Sequence, residues 1–201
     1  MAVMGRDRVL VETFGDEGAV RIAKQVLLVA LGVAALAIAA KIKVPMWPVP
    51  ATLQTFVVLS IGASYGMRLG LVTLVAYLAV GALGFDVFTG SSAEVGGLSY
   101  MLGATGGYLV GFAVAAGAMG ALARAGWDRS VGRMALAMLI GNAIIYLFGV
   151  PWMAYLFLED RGLAWVMQWG MTNFLVFDAL KLALAALLFP ALWKLVGDAR
   201  R

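Results

Sequence analysis

The stretch Trp169-Gly-Met-Thr-Asn-Phe-Leu-Val-Phe-Asp178-Ala-Leu-Lys181-Leu-Ala-Leu-Ala-Ala-Leu-Leu-Phe-Pro-Ala-Leu-Trp-Lys194-Leu195 carries only three charged residues, Asp178, Lys181 and Lys194. A helix that crosses a bilayer needs about 20 predominantly apolar residues, and this run supplies them. Val20–Ala40, Leu102–Ala123 and Met134–Leu158 read the same way. Leu53–Ser64 and Leu69–Leu83 are shorter and are split by Arg68, so the pattern predicts a hairpin of two short helices there. After Val20–Ala40, Lys41, Lys43, Pro45, Pro48 and Pro50 stop the helix, because proline lacks the backbone donor and pushes its predecessor out of the helical region. The fold class expected is an all-α integral membrane protein, a bundle of six transmembrane helices. Residues 1–19 form a polar tail, 20–196 the membrane domain and 197–201 a second short tail.

Composition agrees. The 201 residues are 63% hydrophobic and 13% charged, with a mean hydropathy of +0.95, against about 25% charged residues in soluble domains. Cysteine and histidine are both absent, which excludes disulfides, thiol nucleophiles, the usual zinc and haem sites and histidine bases. No Ser–His–Asp triad can be built, and no P-loop motif for ATP is present. The net charge of +4 does not form a nucleic-acid patch, because the basic residues are spread between the apolar runs.

Their distribution sets the expected orientation. With the N-terminus inside, eleven lysines and arginines fall in inner segments (among them Arg6, Arg8, Arg21, Lys24, Arg68, Arg124 and Arg133) and three, Lys41, Lys43 and Arg161, fall outside. Basic excess marks the cytoplasmic side, so both termini are expected there. No small-residue cleavage site follows the first apolar run, and no cleaved leader is expected.

Asp178 and Lys181 lie three apart, hence on one helical face. Each isolated charge at mid-span costs about 2.5–3.5 kcal/mol on insertion scales, and such residues generally face a bundle interior or a wet cavity. With the span starting at Trp169, Asp178 is expected nine residues in, roughly 13 Å from the outer end. Either the pair binds a ligand or it is a self-neutralising packing device. Gln54, between Thr52 and Thr55, either offers an amide to a polar ligand or completes a helix start. Tyr108, Tyr146 and Trp152 serve as pocket walls or as packing. The outer segment Gly84–Met101, with Asp86, Glu94, Gly96 and Gly97, allows close backbone approach to a ligand or is a plain connector. Gly62, Gly66 and Gly70, Gly103, Gly107 and Gly111, and Ala30 and Ala34 are small-residue stripes. They suit close helix packing or docking to another membrane subunit.

Three motifs occur in order: Pro45-Met-Trp-Pro-Val-Pro50-Ala-Thr52-Leu-Gln54-Thr55, Gly103-Ala-Thr105-Gly106-Gly107-Tyr108-Leu-Val-Gly111-Phe112, and Asp178-Ala-Leu-Lys181. Together they resemble the BioY family, the biotin-binding S components of energy-coupling factor transporters, from about Ala30 to Lys181. The resemblance implies a membrane subunit, not an enzyme, that captures biotin from outside and uses no cofactor of its own. It implies as partners a transmembrane T subunit and two cytosolic ATPases, which alone use ATP. By the same likeness, Asp178 and Lys181 match the pair for the biotin head group, Ala30 and Ala34 the face docking on the T subunit, and the proline loop a lid. The implied location is the bacterial cytoplasmic membrane. The chain departs from the family in Ala104, where a proline is usual, and in Leu109, where some relatives have arginine. It also has no asparagine in Ser91-Ser92-Ala93-Glu94-Val95. Backbone N–H groups near Gly96–Ser99, or water, are left to hold the ligand carboxylate. Two other readings remain: a stand-alone proton- or ion-coupled vitamin transporter with Asp178 titrating, and a lipid-modifying enzyme with Asp178 and Lys181 as acid and base.

Overall fold

A computed structural model describes residues 8–13, 18–90 and 95–198. Arg6, Ser91 to Glu94, Arg200 and Arg201, all used in the reading of the sequence, lie outside the described residues.

The first helix, α1 (Gly18–Lys41), turns Gly32, Leu36, Ala39 and Ala40 toward the bundle and leaves Val26, Leu27, Leu31 and Ile38 exposed. Such an outward apolar face is what lipid requires. Past Lys41 the chain forms a two-stranded antiparallel ribbon, β1 (Lys43–Val44) with β2 (Ala51–Thr52), in register Lys43↔Thr52 and Val44↔Ala51. The three prolines lie in the loop between them, where no ladder donor is needed.

Next comes α2 (Gln54–Ala82), interrupted at Gly66, whose φ of 78° and ψ of 174° are not helical. The break is a fold-back. Gln54 Nε2 donates to Tyr77 Oη at 2.6 Å, although 23 residues of straight helix would separate the two by roughly 34 Å. A Cβ placed on Gly70 would lie 3.3 Å from Gly62 Cα. Residues 54–65 and 67–82 are therefore the two limbs of the expected hairpin. The turn sits at Gly66, in a region of backbone space open essentially to glycine alone. The stripe Gly62, Gly66, Gly70 is corrected accordingly: Gly62 and Gly70 face one another across the hairpin and Gly66 is its corner, so the three do not share one helix face.

A short helix, α3 (Gly97–Met101), leads into α4 (Gly106–Arg124), the spine of the bundle. Glycines let the backbones meet. A Cβ on Gly62 would lie 2.4 Å from Ala116 O, and one on Gly111 3.0 Å from Ile145 Cα. The latter belongs to α5 (Val131–Arg161). Two further helices, α6 (Leu163–Gly170) and α7 (Leu175–Asp198), are separated by a 3₁₀ turn, Thr172–Phe174. Five of these helices are long and apolar enough to cross a membrane when α2 is taken as one element and α6 with α7 as another. The fold-back at Gly66 brings the apolar helices of the bundle to six.

The break at residues 171–174 corrects the start of the last span and the depth of its charges. Asp178 lies in the first turn of α7 rather than nine residues into a helix begun at Trp169. The cause is tertiary. Tyr108 Oη donates to Gly170 O at 2.6 Å, tying off α6 at a glycine, and Thr172 and Asn173 that follow are weak helix formers.

Both described ends lie at one end of the bundle. Arg129 Nη2 donates to Arg8 O at 3.1 Å, and Trp193 Nε1 donates to Asp128 Oδ2 at 2.6 Å. Among the described residues, Asp128 Oδ1 has no hydrogen-bond partner, and the residue is 1% exposed. Burial pushes this carboxyl up to about 6, against the Trp193 bond and the Arg129 charge. An unfolded aspartate titrates near 3.9, so the folded chain holds the extra proton between about pH 4 and 6. Stability is then lost as pH rises through that window, by about 3 kcal/mol at pH 7. Thermal unfolding of wild type and Asp128→Asn in detergent should show the wild type losing stability relative to the variant from pH 4 to 7. Parallel profiles would refute this assignment.

Candidate functional site

At the opposite end, the β-ribbon, the hairpin, α4, α5 and α7 line a narrow cavity that is partly open to the exterior. Pockets of small-molecule sites are mostly apolar with a few placed polar groups, and this one follows that rule. Val49, Pro50, Phe88, Leu109, Phe112, Ile145 and Phe174 supply apolar walls.

Four of the polar groups form one hydrogen-bonded cluster. Lys181 Nζ donates to Asp178 Oδ1 at 3.1 Å and to Thr55 Oγ1 at 2.8 Å. Tyr146 Oη donates to Asp178 Oδ2. Thr55 comes from the first limb of α2, Tyr146 from α5 and the pair from α7, so the cluster forms only once the bundle is assembled. The side chains of Lys181 and Asp178 are 13% and 9% exposed, and an ion pair held this far from water keeps more of its strength than a surface pair.

Gln54 also lines the cavity. Its amide is fixed by Tyr77, whose hydroxyl donates to Val87 O at 2.9 Å, so the hairpin is joined to the loop that follows it. Tyr108 lines the cavity with its ring, while its hydroxyl is used on Gly170. Trp152, Gly96 and Gly97 are placed elsewhere. Trp152 Nε1 donates to Gly103 O at 2.9 Å and its ring packs on Gly106 and Gly107, so it ties α5 to the start of α4 instead of forming a wall. Gly97, at φ 61°, makes a tight approach to Ala82 O, and Gly96 O accepts the Ser99 hydroxyl at 2.7 Å. Both serve the loop's own geometry. Ala30 and Ala34 are exposed on α1 and do not line the cavity.

Thr89, Tyr100, Thr105 and Asn142 line the cavity as well and were not singled out from sequence. Asn142 had a readable signal, an amide inside an apolar span one turn before Tyr146. Thr89 and Tyr100 had none, because residues of a loop and of a five-residue helix reach a site through folding that no periodicity reports.

Two loops at this end cover the cavity and are pinned to each other. Lys41 Nζ donates to Asp86 Oδ1 at 2.6 Å and to Phe88 O at 2.7 Å, and Lys43 Nζ donates to Thr89 O at 2.5 Å. Phe88 stacks on Tyr100 with ring centroids 5.0 Å apart. The proline loop is held at its far side by Trp47, whose ring lies 5.7 Å from Trp165 and 6.3 Å from Phe157. The Arg161 guanidinium sits 5.6 Å over Trp47. Among the described residues no cluster of three or more potential metal ligands exists.

Comparison with known proteins places this arrangement. The chain is 39% identical to the probable biotin transporter BioY of Pyrococcus horikoshii, over 83% of this chain and 94% of that one. It is 33% identical to the biotin transporter BioY of Thermotoga maritima, over 86% and 97%. In three dimensions it matches the S-component for biotin from an ECF-type ABC transporter with a TM-score of 0.73, at 22% identity, covering 89% of this chain and 95% of that one. The relatives are transporters by name, not enzymes. With the BioY family model matching residues 11–198, this multi-pass membrane chain belongs to the BioY family.

Proposed function

We propose that the chain is the substrate-capture subunit of an ECF-type biotin importer, taking biotin from the outer side with both termini in the cytoplasm. A transmembrane T subunit and two ATPases would complete the importer, with Ala30 and Ala34 on the docking face. One observation carries the ligand assignment: the hydrogen-bonding positions left over at the ion pair. A carboxylate has about four acceptor positions and an ammonium three donors. Lys181 and Tyr146 each take one position on Asp178, while Asp178 and Thr55 take two donors of Lys181. Two acceptors and one donor remain. A ureido ring presents two N–H donors and one carbonyl acceptor, which is the complementary set. The apolar walls accept the rest of the bicyclic ring. Thr89, with a buried hydroxyl that has no hydrogen-bond partner among the described residues, stands with Tyr100 as candidate donor to the ligand carboxylate, in place of Gly96–Ser99.

The magnitude is reasonable. Nanomolar binding requires about −12.3 kcal/mol, or about −0.8 per heavy atom for a ligand of about 16, below the ceiling of about −1.5.

Calorimetry on the detergent-purified chain tests the proposal. Biotin binds below micromolar, whereas lipoic acid, which shares the acid tail and lacks the ureido ring, does not. Equal binding of the two, or no binding by folded protein, overturns it. The loop clamp gives a kinetic prediction. Lys41→Ala/Lys43→Ala removes three charge-assisted bonds at the mouth and should speed biotin release about tenfold. The unfolding temperature should fall only modestly, because the ion pair among the three, Lys41 with Asp86, is exposed and stabilises weakly. Unchanged release by stopped-flow chase would show that the clamp does not gate the site.

A further inference from the structure

A second cleft opens at the end of the bundle that holds both termini, between α1 and the second limb of α2. Its mouth is lined by Arg21, Lys24, Arg68 and Arg124, with Glu12 as the one carboxylate among the described residues that line it, and Glu12 pairs with Arg124 at 2.5 Å. Arg21 and Arg68 are exposed. Further along the same cleft the lining changes to Val26, Val29, Leu69 and Val72. Both helices run from this end into the bilayer. Val26 and Val29 therefore lie about 7 and 12 Å beyond Arg21, and Val72 about 6 Å beyond Arg68. Val26 and Val72 are 64% and 55% exposed.

We propose that this cleft binds an anionic phospholipid, with its phosphodiester between Arg21 and Arg68 and the first part of an acyl chain along the valines. The order of the lining carries the assignment. Cations at the membrane surface followed by an apolar groove at acyl depth match the order of a lipid from headgroup to tail. A soluble anion would use the cations and leave the groove empty. Guanidinium forks bind phosphate oxygens in a bidentate way, and basic pockets between membrane helices on the cytoplasmic side are established headgroup sites. The inference rests on the membrane-spanning fold and on the cytoplasmic placement of the termini, and is independent of the biotin assignment.

The test uses the full chain in mixed micelles containing phosphatidylglycerol or phosphatidylcholine, with retained lipid read by native mass spectrometry and unfolding temperature read in parallel. Phosphatidylglycerol is expected to bind about tenfold to thirtyfold more tightly than phosphatidylcholine and to raise the unfolding temperature. Arg21→Gln/Arg68→Gln should abolish that preference. Arg133→Gln, a cation at the same end outside the cleft, should keep it, and the unfolding temperature without added lipid gives a separate check that each variant is folded. Equal retention of the two lipids by wild type overturns the proposal without needing any variant. So does an equal loss in Arg133→Gln, which would mean diffuse charge, or full competition by inorganic phosphate, which would mean a soluble-anion site. Lipid indifference together with loss of T-subunit association in the double variant would assign the cleft to protein docking and would equally overturn it.

Discussion

Asparagine in place of Asp178 lowers biotin affinity by about a hundredfold or more. The carboxylate of Asp178 is the only group in the cluster that accepts without also donating, and the proposed ligand needs two acceptors side by side. An amide keeps one oxygen, already used by Lys181 at 3.1 Å in the carboxylate form, and turns an NH₂ toward a ligand N–H. Losing one hydrogen bond to a charged group and leaving a buried donor unmet costs about 3 kcal/mol in sum. The substitution also weakens the partner of a buried ammonium, which by itself destabilises, so affinity must be separated from folding. Asp178→Asn/Lys181→Met does this by removing both charges. Its unfolding temperature should recover toward wild type while biotin binding stays lost. Recovery of binding in the double variant would show that the pair organises packing and does not contact ligand. Wild-type affinity in the single variant would refute the head-group assignment outright.

The architecture was legible because the bilayer makes it so. In hydrocarbon every backbone group must be satisfied within a helix, so runs such as Val20–Ala40 and Met134–Leu158 announce spans by length alone. The hairpin was legible for a related reason: two runs too short for one perpendicular crossing each, broken at Arg68, leave a fold-back as the economical solution. The corner itself fell two residues earlier, at Gly66, because the backbone there must enter a positive-φ region that arginine avoids. What sequence missed depends on tertiary contact. Nothing in Trp169–Leu195 shows that Tyr108, some 60 residues away, caps Gly170 and moves the helix start to Leu175. For Trp152 the sequence leaves pocket wall and packing open, and its ring fills the space that Gly106 and Gly107 leave. Asp178 and Lys181 were recognisable because a charge in an apolar span is costly wherever it lies. Thr89 in its loop and Tyr100 in the short α3 carry no such penalty and gave no signal.

Alanine at Gly120 should cost about 2–4 kcal/mol, a large effect for one methyl group. A Cβ there would lie 2.2 Å from Met67 N, 2.4 Å from Gly66 C and 2.6 Å from Met67 Cα. All three are backbone atoms at the corner of the hairpin, so no side chain can rotate away. The corner cannot yield easily either, because Gly66 is fixed at φ 78° and Val9 packs on its other side, 3.3 Å from a Cβ at that position. The strain must therefore pass into the limbs. The first limb carries Gln54 and Thr55, so biotin affinity should fall together with stability although Gly120 is at the far end of the bundle. Gly117→Ala is the matched control, one turn earlier in α4 and with nothing within 4 Å of the added carbon; it should be close to neutral. Thermal unfolding of both variants in the same detergent, with and without biotin, decides the matter. If Gly120→Ala unfolds within a degree or two of Gly117→Ala, the hairpin corner is softer than the backbone contact implies. The hairpin would then not be the rigid element that positions the polar side of the cavity.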